Sequence, residues 1–301
     1  MSDWSDVSDV TADDVCETFE AAKDELLLDP YREGQVVKLQ ANGELWLTGD
    51  LHDQRTNFSK ILATADLGDN PRRHLVLHEL IHGSYFDEGG AEDSWKMLYR
   101  AAELKCDFPE QVHFILANHD LAQIFGEGIM KAGLSVCEAF TKGIKNHFGE
   151  TGGAMVESVM TEFFLALPLA VRTPGGTFMC HSLPEDSQID TFDFSVFERE
   201  RLKKPDYLRR TGPAYQLIWG RNMSPATTEK FAEKVDANVL VTGHQPQDNG
   251  FLVNGEKHLI IASDHNQGVL LPVDCDHEYD MATLVGKITR FVAIDPETFG
   301  K

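Results

Sequence analysis

The sequence lacks long apolar runs. No stretch reaches the roughly eighteen consecutive apolar residues that a membrane-spanning helix needs, and no basic segment followed by an apolar run stands at the N-terminus. These absences argue against a membrane anchor and against a secretory signal. We therefore expect a soluble, cytoplasmic protein without a membrane partner.

Cysteine is also scarce. The five cysteines are odd in number, widely separated and never arranged as Cys-x-x-Cys. A disulfide framework or a thiolate zinc site needs closer, paired cysteines. We predict reduced structural thiols at Cys16, Cys106, Cys137, Cys180 and Cys275.

Basic residues are few relative to acidic ones. The chain has 27 Lys and Arg against 49 Asp and Glu, which gives a formal charge of −22. Because nucleic-acid affinity depends largely on Lys and Arg that neutralise phosphates, this charge argues against a nucleic-acid partner. Residues 1–30 contain ten of the acids and a single base, Lys23. We predict an acidic N-terminal arm, solvated through residue 14, that leads into a helix, and one domain over residues 31–301.

Strand and helix patterns alternate along the whole chain and predict a layered α/β fold. Residues 36–47 (VVKLQANGELWL) alternate apolar and polar around Asn42-Gly43, which predicts two short strands in a hairpin. Other strands are predicted at 74–77, 112–116, 169–173, 177–181, 238–243, 258–263 and 269–273. Helices are predicted at 59–64, 91–105, 121–149, 155–165, 194–203 and 225–235, the last with Ser224 as N-cap and Pro225 at its first position.

Residues that can bind metal follow several of these strands at the carboxyl end, where an α/β sheet presents its functional site. They are Asp50 and His52, then His78, Glu79 and His82, then Asn118, His119 and Asp120, then His181, and finally His244. Taken singly, each has an ordinary structural explanation, such as a turn or a helix cap. As an ordered set, these oxygen and nitrogen donors suit Zn²⁺, Mn²⁺ or Fe better than Ca²⁺.

Four of these segments resemble known motifs. LTGDLHD (47–53) resembles the GDxH signature, LANHD (116–120) resembles GNH[DE], MCHSLP (179–184) resembles an HGG-type segment, and VTGHQPQ (241–247) resembles a GHxP segment. These are the motifs of calcineurin-like metallophosphoesterases, and the likeness is greatest to the phosphoprotein phosphatase branch. It covers most of residues 45–273. The resemblance implies an α/β/β/α sandwich of two mixed sheets flanked by helices, and metal-dependent hydrolysis of phosphate monoesters.

The resemblance also implies a ligand set for two divalent ions. Asp50 and His52 would hold the first ion, and Asn118, His181 and His244 would hold the second. A carboxylate would bridge the pair, which in such sites activates water and clamps the attacking and leaving oxygens. The ions would be Mn, Fe or Zn.

Two further residues acquire roles from the resemblance. His119 is the expected general acid for the leaving alkoxide, since an imidazole titrates near the working pH. Arg221, in the segment WGR, matches a Trp-x-Arg whose guanidinium grips phosphate, and Arg209 and Arg210 are alternatives for that role. The substrate would be a phosphoprotein or a small phosphorylated metabolite.

The second motif departs from the family pattern, because residues 78–84 read HELIHGS where the family has GDxxDRG. Glu79 would replace the bridging aspartate with a carboxylate that is longer by one methylene. His82 stands where an aspartate orients the general acid, and Gly83 stands where an arginine holds phosphate. His78 or His82 is a candidate extra metal ligand.

This departure leaves two other hypotheses open. Loss of a phosphate-binding arginine weakens transition-state stabilisation, which favours a catalytically weak or silent phosphatase-like binding protein as an alternative. HELIH also matches HExxH, the zinc-peptidase signature, which needs a helix, Glu79 as general base and a third ligand such as Glu103. Against the peptidase, residues 75–77 predict a strand that ends at His78, and the other strand-end ligands would have no role.

Overall fold

The computed structural model describes residues 6–126, 128–131 and 133–294. These residues form two mixed β-sheets and flanking helices, which confirms the predicted α/β architecture. In spatial order, the larger sheet consists of β1 (Arg32–Glu33), β2 (Val36–Lys38), β8 (Ala170–Arg172), β9 (Thr177–Cys180), β10 (Val239–Thr242), β12 (His258–Ile261) and β11 (Phe251–Asn254).

The smaller sheet consists of β14 (Thr289–Arg290), β13 (Val269–Asp274), β3 (Glu44–Thr48), β4 (Arg73–Leu77) and β5 (Val112–Phe114). A separate antiparallel ribbon pairs β6 (Met130–Lys131) with β7 (Leu134–Ser135). Parallel pairing joins β3 to β4 and β4 to β5 in the smaller sheet, and β9 to β10 and β10 to β12 in the larger one. Several strands of each sheet therefore direct their carboxyl ends to one edge.

The helices follow the strands along the chain. Their bounds are α1 (Ala12–Leu27), α2 (Arg55–Ala65), α3 (Trp95–Asp107), α4 (Asn118–Phe125), α5 (Val136–Ala166), α6 (Pro213–Trp219), α7 (Pro225–Lys234) and α8 (Met281–Val285). As predicted, α7 has Pro225 in its first turn and Ser224 as N-cap, whose side chain accepts the Thr227 N–H.

The space between the sheets is filled by apolar side chains from both. The smaller sheet contributes residues such as Leu45, Leu47 and Val76, and the larger sheet contributes residues such as Met179 and Val241, all fully buried. At about 25 cal/mol per Å² of apolar surface removed from water, this shared layer holds the two sheets together. A second cluster contains the buried faces of the helices.

The predicted hairpin at 36–47 is wrong, because β2 lies in the larger sheet and β3 in the smaller one. Asn42 does adopt the left-handed conformation of a turn, with φ 65°. However, the N–H of Leu39 continues the bonding of β2 to β8, and the N–H of Glu44 begins the bonding of β3 to β4. Each strand faces the inter-sheet core from its own side, so the chain crosses between sheets at the turn.

The predicted helix at 121–149 is also divided. Helix α4 ends at Gly126, which has φ 65°, and the β6–β7 ribbon intervenes before α5 begins. Helix α5 covers the second half of the helix predicted at 121–149 and the whole of the helix predicted at 155–165. It is kinked at Gly149 (φ 73°, ψ 177°). The predicted helix at 194–203 is a short 3₁₀ helix, Phe194–Glu198.

The acidic N-terminal segment packs on the remainder of the fold. The predicted arm begins in residues 1–5, which lie outside the described residues. From there on, Val7 is buried, and Thr11 caps α1 through a capping box with Asp14. Phe19 of α1 packs edge-on against Phe163 of α5, with ring centroids 5.2 Å apart. Among the described residues, no helix is both long and apolar enough to cross a bilayer.

The two sheets meet directly after β3. The N–H of Gly49 donates to Ser263 Oγ (2.8 Å), and the N–H of Ser263 donates to the carbonyl of Asp50 (3.2 Å). A Cβ at position 49 would lie 2.3 Å from the Ile261 carbonyl oxygen, so only glycine permits this approach. The contact aligns the strand ends of both sheets, which places their following residues in one cluster.

Candidate metal centre

Asp50 lies at the centre of the strand-end cluster and is buried. Both of its carboxylate oxygens accept the His244 N–H at 2.9 Å, and Oδ1 lies 2.9 Å from His78 Nε2. The neighbouring Gly243 leaves room for this arrangement, because a Cβ there would lie 2.2 Å from Asp50 Oδ1. Two segments that are distant from Asp50 in sequence therefore hold its carboxylate in place.

Several loops at this edge have left-handed backbone at residues with side chains. These are His52 (φ 42°), Asp53 (φ 56°), Glu79 (φ 48°), His82 (φ 63°) and His244 (φ 67°). Each such residue costs about 1–2 kcal/mol relative to ordinary backbone. The Glu79 carbonyl accepts the N–H groups of Leu51 (3.2 Å) and His52 (2.8 Å), so two loops hold each other in place. Strain of this kind concentrates at functional sites.

The predicted ligands come together in two groups. The first contains Asp50, His78 and His181, and the second contains His52, Glu79 and His119; within each group the ligand atoms lie within 4.8 Å of one another. The second group is where the resemblance placed the bridging carboxylate and the general acid. His78, which replaces the glycine of the family motif, therefore belongs to the cluster of candidate ligands.

Glu79 belongs to the second group and also approaches His181 of the first. Its Oε2 is 3.6 Å from His52 Nε2, and its Oε1 is 3.7 Å from His181 Nε2. Both distances are too long for a hydrogen bond. Donors that bind one ion at about 2.0–2.2 Å lie about 3–4 Å from each other, so each oxygen is spaced to share an ion with a different histidine.

Asn118, His181 and His244 form a tight triangle of donors. Asn118 Oδ1 is 2.8 Å from both His181 Nε2 and His244 Nδ1, and these two nitrogens are 3.1 Å apart. Each ring nitrogen is a donor in one tautomer and an acceptor in the other, and Asn118 Oδ1 only accepts, so protons satisfy only part of such a triangle. A cation at its centre would satisfy all three.

Three buried imidazole nitrogens at the site have no hydrogen-bond partner within the described residues: His78 Nδ1, His181 Nδ1 and His244 Nε2. Buried polar atoms are nearly always paired in folded proteins. The unpaired nitrogen donors, together with the carboxylates and the Asn118 amide, fit a site for divalent metal ions.

The carboxylates of the site have opposite electrostatic behaviour. Burial opposes the ionisation of Asp50, but the hydrogen bond from His78 and the neighbouring imidazoles hold its pKa well below its usual range. Burial and the adjacent Asp50 charge raise the pKa of Glu79 well above its usual range. Two carboxylates this close cannot both ionise cheaply without positive charge between them.

The site histidines favour the neutral form. Burial lowers the pKa of His52, His119 and His181, and lowers that of His82 and His244 to about 3. Neutral imidazoles keep one nitrogen lone pair, which is the form that binds a metal.

His119 stands at the start of α4 beside the second group. Its N–H donates to Glu79 Oε1 (3.2 Å), and its Nδ1 lies 2.9 Å from His82 Nδ1. The next residue, Asp120, accepts the Ala117 N–H at 2.9 Å and so caps the helix. His82, at the position where the family has an aspartate, therefore contacts His119, the predicted general acid.

Arg221 lies at the exposed rim of the site. Its guanidinium donates to the His244 carbonyl at 3.0 Å, which leaves further N–H groups for a ligand. Arg209 and Arg210 are exposed, and neither side chain has a hydrogen bond to a site residue within the described part of the chain. The structure thus associates the site with Arg221 and not with the two alternatives.

Sequence comparison identifies the family of this chain. A sequence model of calcineurin-like phosphoesterases matches residues 44–256, a range that includes all the clustered candidate ligands. The chain belongs to the calcineurin-like phosphoesterase family. As a member of that family, it is a metallophosphoesterase whose site uses divalent ions, and the donor set described above accommodates them.

Solved structures of two phosphatases share the fold of this calcineurin-like phosphoesterase. A protein serine/threonine phosphatase from Saccharomyces cerevisiae with similarity to human phosphatase PP5 has a TM-score of 0.65 at 17% identity, over 88% of this chain and 83% of that one. A cold-active protein-tyrosine phosphatase of a psychrophilic Shewanella species has a TM-score of 0.54 at 13% identity, over 80% and 78%. At these identities the likeness shows the fold alone. No curated protein sequence matches the chain.

The HExxH alternative is wrong for this phosphoesterase. The peptidase motif needs a helix, but Glu79 and His82 both have positive φ in an irregular loop after β4. His78 faces Asp50, whereas His82 faces His119, so the two histidines do not share a ligand position. Glu103, the candidate third ligand, pairs with Arg100 on α3 at 3.0 Å.

Sequence reasoning missed several residues that support the phosphoesterase site. Ser94 Oγ accepts the His82 N–H (3.0 Å) and donates to Glu92, so the segment that follows the second motif holds the His82 backbone in place. Lys131 of the β6–β7 ribbon donates to the His82 carbonyl at 2.8 Å. Neither residue belongs to a recognisable motif, and only tertiary structure brings them to the site.

Proposed function

We propose that this calcineurin-like phosphoesterase hydrolyses phosphate monoesters, on a phosphoprotein or a small phosphorylated metabolite, with two divalent ions of Mn, Fe or Zn. The observation that carries the proposal is the position of Glu79, whose two carboxylate oxygens face His52 and His181 separately. This is the arrangement that a bridging ligand needs. Divalent ions in such sites supply Lewis acidity and activate water for in-line hydrolysis at phosphorus.

The protein residues divide into two ligand sets. By the family pattern, Asp50 and His52 would hold the first ion. The structure groups the donor atom of Asp50 with those of His78 and His181, and that of His52 with those of Glu79 and His119, so His78 is a candidate extra ligand beside Asp50. Asn118, His181 and His244 would hold the second ion, since their donor atoms already converge. Glu79 would bridge them, and its extra methylene is accommodated by the left-handed backbone at that position.

His119 would protonate the leaving alkoxide. The side chain lies beside Glu79 and His52 and is oriented through Nδ1 by His82. Burial lowers its pKa and favours the neutral form, so the proton for the alkoxide would be taken up with the substrate, whose negative charge favours the imidazolium. Arg221, anchored on the His244 carbonyl, would bind the phosphoryl oxygens at the rim.

The alternative is a catalytically weak or silent phosphatase-like binding protein, which Gly83 favours. The family places a phosphate-binding arginine at this position, and the glycine here supplies no charge. On this alternative the cluster would hold metal without turning over substrate.

Metal analysis combined with hydrolysis of p-nitrophenyl phosphate tests the proposal. The wild type should hold two ions per chain and hydrolyse the ester with Mn²⁺, Fe²⁺ or Zn²⁺, and Asp50→Asn should lose both properties. A wild type that holds two ions and shows no turnover with any of the three metals would establish the silent alternative instead.

A cytoplasmic location is part of the proposal. The five cysteines all lie in the described residues and form no disulfide. Reduced thiols are the usual state of cysteines in the cytosol. Localisation of a tagged full-length chain by cell fractionation tests this, and recovery in a secreted or periplasmic fraction would contradict it.

A further inference from the structure

One positively charged side chain at the site lies outside the sequence motifs. Lys131, on strand β6 of the ribbon, is partly buried and donates from its ammonium group to the His82 carbonyl at 2.8 Å. That carbonyl belongs to the peptide bond between His82 and Gly83. The ammonium therefore lies beside the position where the family has its phosphate-binding arginine.

The arginine cannot be restored at position 83 itself. Gly83 is buried, and a Cβ there would lie 2.8 Å from the Cβ of Asp53. Asp53 is in turn held by Arg55, with Nε to Oδ1 and Nη2 to Oδ2 both at 3.0 Å. Since the Asp53 side chain occupies the space that a side chain at position 83 would need, a positive charge for a phosphoryl group must come from another segment.

The charge of Lys131 reaches the metal groups. Burial lowers the pKa of Lys131, while the carboxylates of Glu79, Asp264 and Asp50 act in the opposite direction. In turn, its positive charge adds to burial in lowering the pKa of His52 and His119. The ammonium therefore interacts electrostatically with the carboxylates and imidazoles of the metal cluster.

Lys131 has a counterpart on the opposite loop. Arg221 donates to the carbonyl of His244, as Lys131 donates to the carbonyl of His82, and both histidines have left-handed backbone. An ammonium has three donors and a guanidinium five, so each cation keeps donors for a ligand after making its backbone contact. The two cations are thus each anchored to one loop of the metal cluster.

We infer that Lys131 is a substrate-binding residue, which takes the place of the arginine missing at Gly83 and binds a phosphoryl oxygen together with Arg221. This inference rests on the proposed phosphomonoesterase function. It explains how a chain without the family arginine keeps the positive charge that phosphate recognition requires.

Substitutions at Lys131 separate charge from anchoring. Lys131→Met removes both the charge and the hydrogen bond, Lys131→Gln keeps a donor for the His82 carbonyl without charge, and Lys131→Arg keeps both. The matched control is Lys142→Met, because Lys142 also donates to a loop carbonyl, that of Gly89. Manganese content and thermal midpoint are measured for every variant.

Calorimetric binding of inorganic phosphate to the manganese-loaded protein is the primary readout, with KM and kcat for p-nitrophenyl phosphate as the second. Loss of one charge-assisted hydrogen bond should weaken phosphate binding about tenfold to a hundredfold in Lys131→Met and Lys131→Gln, with metal content unchanged. Lys131→Arg should bind within a few-fold of wild type, and Lys142→Met should match it.

Two results would overturn the inference. Wild-type phosphate affinity in Lys131→Gln would show that the lysine only anchors the ribbon, and equal losses in Lys131→Met and Lys142→Met would show an effect of surface charge. If Lys131→Met fails to fold, Lys131→Gln and Lys131→Arg still decide the question. A wild type that neither binds phosphate nor hydrolyses the ester defeats the proposed function itself, whereas normal wild-type turnover with unaffected Lys131 variants defeats only this inference.

Discussion

The Nδ1 atom of His82 lies 2.9 Å from the Nδ1 atom of His119, so a histidine occupies the orienting position next to the proposed general acid. His82 Nε2 is 2.9 Å from the Oε1 of Gln123, which requires the proton of His82 on Nε2. His82 Nδ1 is then an acceptor, and His119 Nδ1 is the donor. This pair therefore fixes the tautomer and the ring plane of His119 without a negative charge.

Removal of the His82 side chain should slow catalysis with little effect on substrate binding. His82→Gly is the suitable change, because glycine tolerates the φ of 63° at this position. We expect kcat to fall by about 10²-fold, the lower range for a misplaced general acid, with KM and metal content near wild type. His82→Asp, which restores an acceptor for His119, should recover most of the loss. An unchanged kcat in His82→Gly would remove His82 from the mechanism.

The same hydrogen-bond chain extends to helix α5. Gln123 Nε2 donates to Thr141 Oγ1 (3.3 Å), and that hydroxyl donates to Glu157. Thr141→Val keeps the shape and removes the link, so we expect kcat to fall a few-fold with KM unchanged. The control is Thr161→Val, since Thr161 lies on the same helix and its hydroxyl donates only to the Glu157 carbonyl. Equal effects of the two valines would indicate a general effect on α5.

The position of Glu79 predicts a change in metal stoichiometry. Glu79→Gly removes the carboxylate while glycine readily accepts the φ of 48°. Loss of a shared ligand should reduce bound metal from two ions to one or none, measured by mass spectrometry of the metals. Gly68→Ala is the control that should keep both ions, because Gly68 is exposed and a Cβ there would have no neighbouring atom within 4 Å among the described residues. Two tightly bound ions in Glu79→Gly would show that Glu79 is not a bridging ligand.

Local sequence signals predicted the elements better than their pairing. Apolar runs located most strands, and ligands at the strand ends could be read from the sequence because parallel strands direct those ends to one edge. The hairpin prediction failed because Asn42-Gly43 indicates only a local left-handed turn. Whether β2 and β3 pair with each other depends on tertiary packing, which places them in different sheets on the two sides of the shared core.

The residues that support the site could not be predicted from the sequence. Lys131 lies on a two-residue strand, and Thr141 and Ser94 lie in segments without motif character. Their contacts with the site arise from the packing of α5 and the ribbon near the loop after β4. A motif contains the residues that the chemistry requires at fixed spacing. The residues that orient them come from other parts of the chain and are brought close only by tertiary packing.

Gly243 should be intolerant of even one added methyl group. A Cβ at this position would lie 2.2 Å from Asp50 Oδ1 and 2.7 Å from His78 Nε2. Gly243→Ala should therefore displace the Asp50 carboxylate and reduce metal affinity at least tenfold, at a stability cost of about 1–3 kcal/mol. Calorimetric titration with Mn²⁺ and urea denaturation measure the two effects. Metal affinity equal to wild type would mean that Asp50 is not held in its ligand position by this close approach.

Stability should depend on pH through a buried histidine far from the metal cluster. Burial and the neighbouring His113 lower the pKa of His74 to about 4, against roughly 6.5 in an unfolded chain. Between these values only the unfolded state takes up the proton, so stability rises with pH and is lost as pH falls from 6.5 toward 4. The loss between pH 7 and pH 5 should be on the order of 1 to 2 kcal/mol from this residue. Urea denaturation at both pH values should show a smaller difference for His74→Asn than for wild type, while the exposed His277→Asn should match wild type. An equal pH difference in His74→Asn and wild type would place the acid sensitivity elsewhere.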